Sequence, residues 1–174
     1  MNTVLVVGAF DLLHAGHAKF LAEARSFGDK LTVGVATDAS RRREKGEAHP
    51  LVTEKDRANL LRYLKPVSQV LAVDEDNIIP LIKKVRPRVF YTLKNNLAYG
   101  KESKLVKEQG GRVVRVDKEL PYLSSSEMVD RVADLKIKQV VEYFIGKVES
   151  KPYSGKLSQA QYYNPKFKES VLSV

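Results

Sequence analysis

A chain of 174 residues with no cysteine fits one compact domain plus a short extension, and it excludes a disulfide framework or any thiolate site. The formal charge of +9 is spread along the chain, with Arg41, Arg42 and Arg43 as its dense run, which suits a protein that handles polyanions such as nucleotides. No nucleic-acid recognition motif accompanies that charge, and the opening MNTVLVVGAF is too short and too poor in basic residues for a signal peptide or a membrane span, so a soluble cytoplasmic protein with neither nucleic-acid nor membrane partner is expected.

In chain order, strands alternate with helices. Thr3 to Val7 (TVLVV) is uninterrupted and β-branched, as a strand buried on both faces should be. His17 to Phe27 sets Phe20, Leu21, Ala24 and Phe27 on one helical face and stops at Gly28. Leu31 to Ala36 (LTVGVA) reads as the second strand, and the chain then turns polar through Thr37 to Pro50. Thr53, with Asp56 three residues on, resembles a capping box that opens a helix to about Lys65. Strand, helix and strand recur at Gln69–Val73, Asn77–Val85 and Val89–Thr92. A short helix over Lys104–Glu108 ends at Gly110 and Gly111, Arg112–Val116 is the fifth strand, and an apolar helical pattern runs from Glu127 to about Val148. The pattern predicts an α/β fold, a doubly wound parallel sheet with right-handed crossovers and a helical C-terminal extension. We place the sheet domain in residues 1–135 and a C-terminal helix and extended tail in 136–174.

Ligands of such a sheet bind beyond the carboxyl ends of its strands, and helix N-termini there attract phosphates through free N–H groups and the helix dipole. GAFDLLHAGH, residues 8–17, lies at that place. Gly8 ends the first strand, Phe10 and Asp11 make the turn, and His14 and His17 lead into the first helix from one side of it. Gly16 between them has no side chain to obstruct a phosphate at the backbone. A lone histidine at a helix start is most often a cap, but strand, Gly-x-Phe-Asp-x-x-His-x-Gly-His and amphipathic helix together point to nucleotide phosphate. Metal binding by the two histidines alone is the weaker alternative, because no third ligand lies nearby in sequence.

The stretch GAFDLLHAGHAKFLAEARSFGDKLTVGVATD resembles the opening of the cytidylyltransferase-like nucleotidyltransferases, with their His-x-Gly-His motif at His14 to His17. The resemblance continues through Lys45 and Gly46, through Arg57, and into SSSEMVDR from Ser124 to Arg131, which is similar to the family's serine-threonine motif. It covers roughly Thr3 to Ala133, and the spacing from Asp38 to the Lys-Gly pair is most similar to heptose-phosphate adenylyltransferases and their relatives. The resemblance implies a Rossmann-like nucleotidyltransferase fold. It also implies a reaction in which a phosphorylated small molecule attacks the α-phosphate of a nucleoside triphosphate, accompanied by Mg²⁺, and expels pyrophosphate. A phosphate nucleophile with a second pKa of about 6 needs no general base, so the protein's task is alignment and charge stabilisation.

What the resemblance implies for single residues follows. His14, His17 and Lys45, the last in a charged loop, would be the catalytic donors. Gly8, Ala9, Phe10, Gly16, Ser124, Ser125, Ser126 and Arg131 would bind the nucleotide, although the serines could equally cap a helix and Arg131 could be solvated. Asp11, Arg57, Asn95 and Asn96 would contact the acceptor substrate, although Arg57 and Lys65 also suit an ordinary amphipathic surface. His49 has no assigned role. Glu119 to Leu123 stands where cytidylyltransferases carry Arg-Thr-x-Gly-Ile, and Lys94, Asn95 and Asn96 stand where relatives carry acidic residues. The missing arginine favours ATP over CTP. The tail from Lys151 carries Tyr153, Tyr162, Tyr163 and Phe167, and relatives are often dimers, so a homodimer is expected. The rival of another class is a non-catalytic nucleotide-binding module that kept the fold.

Overall fold

The branched apolar runs form five parallel strands: β1 (Thr3–Gly8), β2 (Lys30–Ala36), β3 (Gln69–Val73), β4 (Val89–Leu93) and β5 (Arg112–Val116), arranged in the order β3-β2-β1-β4-β5. The computed structural model describes residues 1–94, 100–117 and 125–149, so Asn95, Asn96, Ser124 and the tail after Glu149 lie outside the described residues. Central β1 pairs with both neighbours, Val4 standing opposite Leu31 of β2 and Val89 of β4.

Alternate residues of a strand face opposite sides, and each side has its own core. Val4, Val6, Val33 and Tyr91 pack against Leu21 and Ala24 of α1 (Ala15–Arg25) and Ala58 and Leu61 of α3 (Glu54–Arg62). Leu5 and Phe90 pack against Leu81 and Ile82 of α4 (Ile79–Val85) and Val106 of α5 (Gly100–Glu108). Each fully buried leucine contributes about 1.5–3 kcal/mol relative to an exposed one. Gly34 sits inside β2 because a Cβ there would lie 2.8 Å from Leu81 Cδ2. The helices after β1 and β2 thus cover one side and those after β3 and β4 the other. Adjacent β1 and β4 therefore lead away in opposite directions, which opens the ligand crevice at their carboxyl ends.

Two expectations change. Thr37 to Pro50 reads as a polar connection, yet Asp38–Lys45 forms helix α2. Thr37 caps it by accepting from Ser40 N at 3.2 Å, and its charged side is tied to the loop after β3. Arg41 bonds Glu75 at 3.0 Å, and Arg43 reaches Asp74 at 2.6 Å and Asp76 at 2.8 Å. Lys45 is accordingly the last residue of a helix, not a loop residue. Helix α5 also begins earlier than expected, at Gly100. The box at Thr53 forms in part: its hydroxyl accepts from Asp56 N at 3.3 Å and donates to the Asp56 carboxylate at 2.8 Å.

The chain divides into two units, Met1–Val129 and Asp130–Val174, the division falling within helix α6 (Ser125–Glu149). In the second unit α6 leaves Val132, Leu135, Ile137, Val140, Val141, Tyr143 and Ile145 each 45–61% exposed. Among the described residues no helix is long and apolar enough to cross a membrane.

Candidate active site

The turn after β1 brings three rings together. Phe10 adopts φ 52°, a left-handed conformation that is unusual for a bulky residue, and its side chain is buried. A Cβ on Gly8 would lie 3.2 Å from the Phe10 ring, so glycine there makes room for it. The Phe10 ring centroid is 5.2 Å from that of His17, and the His14 ring is 3.9 Å from His17 at an interplanar angle of 33°.

His14 is the N-cap of α1, in extended conformation, and its Nδ1 accepts the Gly16 N–H at 3.1 Å. An Nδ1 that accepts carries no proton, so while this bond is made the ring proton sits on Nε2. Gly16 N–H is engaged by that cap. Burial lowers the His17 pKa from 6.5 to about 4; the neighbouring His14 adds to the fall and the Leu12 backbone opposes it. His17 Nδ1 is buried without a well-formed hydrogen bond. At neutral pH the site thus holds an uncharged His17 beside a His14 whose donor is fixed, at a helix N-terminus and the end of the central strand. That set suits phosphate oxygens. Among the described residues no group of three or more histidine or acidic side chains is placed to hold a metal ion.

Behind the rings, a buried cation joins three segments. Arg57 of α3 is fully buried, with Nη1 donating to Ala9 O at 2.6 Å, Nε to Val52 O at 2.8 Å and Nη2 to Asp38 Oδ1 at 2.6 Å. Asp38 also accepts Glu54 N at 2.7 Å. The Asp11 carboxylate accepts Leu51 N at 3.0 Å and Val52 N at 2.8 Å, tying the histidine turn to the loop that follows Lys45. Arg57 therefore does not meet the expectation of substrate contact: its guanidinium is enclosed by protein acceptors. Asp11 likewise faces backbone amides, with 12% of its side chain exposed.

Lys45 ends α2 with an exposed side chain. Ser125 and Ser126 are the first residues of α6, and Arg131 is exposed on that helix within the second unit. Sequence reasoning missed Asp38, the conformation of Phe10, and His49, whose Nδ1 lies 3.8 Å from Asp11 Oδ2. The available signal for Asp38 was its place just past β2, matching that of Asp11 past β1.

The cytidylyltransferase-like family matches residues 5–154. The chain belongs to that family. It is an enzyme of the nucleotidyltransferase type. Two bifunctional proteins HldE are similar to it: that of Campylobacter curvus is 44% identical over 136 residues (76% of this chain, 28% of the relative), and that of Geobacter sulfurreducens 45% over 117 residues (64% and 23%). The chain spans about a quarter of the length of these curated relatives. Among solved structures, a lipopolysaccharide core biosynthesis protein from Thermoplasma volcanium superimposes with TM-score 0.60 at 28% identity, covering 69% of this chain and 99% of that one.

Proposed function

We propose that the chain transfers an adenylyl group from ATP to the phosphate of a phosphorylated sugar or polyol. An oxygen of the acceptor phosphate bonds to the α-phosphorus, the bond from that phosphorus to the bridging oxygen breaks, and pyrophosphate leaves. The observation that carries this reading is the close pair of imidazoles at the carboxyl end of β1, His14 capping α1 through the Gly16 N–H and neutral His17 with its ring 3.9 Å away. Both rings would donate to the α-phosphate as charge grows there, and the polyanion would draw the His17 pKa upward. Lys45 would add a third donor. Ser124, Ser125 and Ser126 would hold the β- and γ-phosphates, with Mg²⁺ arriving on the triphosphate to neutralise its charge. Asn95 and Asn96 would take part in recognising the base or the acceptor, where an amide both donates and accepts.

His17→Ala should lose about 10²–10³ in kcat, the usual cost of one donor to a developing oxyanion, with a much smaller change in KM for the triphosphate and an intact fold. Near-wild-type turnover, or a loss accounted for by unfolding, would sink this reading. Pyrophosphate release across a panel of phosphorylated sugars and polyols tests the nucleotide: ATP should outperform CTP, and a preference for CTP would make the chain a cytidylyltransferase. Nucleotide binding without turnover on any acceptor would favour the non-catalytic alternative. The exposed apolar side chains of α6 support a homodimer; light scattering should find a dimer that weakens when residues after Ser150 are removed, and a monomer in both forms would reject it.

A further inference from the structure

We propose that Arg57 is a positioning residue that holds the strained Ala9–Phe10 turn, and through the Phe10 ring fixes where the His17 imidazole stands. The inference rests on the function proposed for His17. A phenylalanine at φ 52° is strained and persists only where its surroundings over-determine it. Two contacts do so here. The Phe10 ring fills the space beside Gly8, and the carbonyl immediately before Phe10, that of Ala9, accepts from Arg57 at 2.6 Å. Were that carbonyl to rotate toward the conformation Phe10 prefers, the ring would leave its place 5.2 Å from His17.

The geometry of Arg57 suits this role. Each of its three nitrogens donates to an acceptor from a separate segment, Val52 O, Ala9 O and Asp38 Oδ1, so each limits where the guanidinium can move. Two of them, Asp38 and Val52, bracket the segment that carries Lys45. The same cation therefore sets the spacing between the histidine turn and the base of the lysine-bearing segment. Neither a lysine nor a neutral residue reproduces this, because the guanidinium spreads its donors over three nitrogens in a rigid plane whereas an ammonium holds its three on one atom.

Three variants test it: Arg57→Lys, Arg57→Met and, as a milder change at the same buried site, Asp38→Asn, which leaves the Arg57 acceptor in place but removes its charge. Each is followed by adenylyl-transfer kinetics, by the melting temperature, and by NMR titration of the His17 ring, which needs no activity. In any folded Arg57 variant kcat should fall about 10- to 100-fold, the cost of displacing a reacting group by about 1 Å, with KM for the triphosphate changed less than about threefold. The His17 titration should move from about 4 toward its ordinary 6.5 as the ring loosens. Asp38→Asn should show both changes in the same direction and smaller. A purely structural role lowers the melting temperature and leaves the His17 titration where it was, which overturns the proposal; if neither Arg57 variant folds, Asp38→Asn decides alone. Should the protein transfer no nucleotide at all, the function reading fails while the titration still reports on positioning; should it transfer nucleotide with His17 unmoved, only the positioning proposal fails.

Discussion

Lowering the pH should remove stability through His17. Its folded pKa of about 4 lies below the unfolded value of 6.5, so between these values the unfolded chain binds the extra proton. Stability from this group is therefore complete above pH 6.5 and drains as the pH falls toward 4. The full shift corresponds to about 3 kcal/mol; because the ring is only partly buried, water screens part of it and about 2 kcal/mol is the working figure. For a chain of this size that is about 4–8 °C in melting temperature. The assay compares thermal or urea unfolding at pH 7 and 4.5 for the wild type and His17→Asn, which cannot take up the proton. Glu75, whose pKa burial raises, acts in the opposite sense in the same window, but it is common to both proteins and cancels in the difference. His14, the neighbour that adds to the His17 shift, should be tested as His14→Asn: removing it should raise the His17 pKa and shrink the effect. Equal loss of stability in wild type and His17→Asn would refute the argument, and with it the picture of His17 as a ring held neutral by its surroundings.

Three further outcomes test the framework that carries the site. Gly34→Ala should destabilise by about 1–3 kcal/mol, since its Cβ would press on Leu81 and Val7 inside the sheet; an unchanged urea midpoint would show that α4 yields freely. Leu61→Ala should cost about 2–5 kcal/mol by leaving a cavity between α3 and the sheet, and because α3 carries Arg57 it should also reduce turnover more than Gly34→Ala does. Thr53→Ala should cost about 1 kcal/mol for the lost cap, read by equilibrium unfolding, with Thr53→Ser restoring most of it.

The sheet was legible because its signal is local. Uninterrupted runs such as TVLVV and LTVGVA have few alternatives to a strand buried on both faces, and the helices that cover them advertise an apolar stripe, as Leu21, Ala24, Ala58 and Leu61 do. Helix α2 had no such stripe. Its buried residue is Ser40, and what holds it is a cap at Thr37 together with ion pairs from Arg41 and Arg43 to acidic side chains more than 30 residues away, which no periodicity displays. Arg57 was misread for a related reason. On its own helix it looks like a surface cation, and only the fold brings Ala9, Val52 and Asp38 around it. The left-handed Phe10 had no signal at all, because the residue type argues against the conformation it adopts.

That division between what was legible and what was not follows the proposed chemistry. If the acceptor phosphate supplies its own negative oxygen, the enzyme needs no strong base, and the two histidines proposed to meet the α-phosphate lie in one short motif that the sequence displays. What remains is placement: a ring held at 3.9 Å from another, an imidazole fixed by one backbone N–H, a lysine set at the end of a helix. Placement is a property of distant segments meeting, so its determinants are scattered through the chain as Asp11, Asp38 and Arg57, each bonding backbone or framework. An enzyme of this design should be robust to changes in surface charge and sensitive to small changes in a buried guanidinium, because an error of about 1 Å in alignment outweighs a modest loss of attraction.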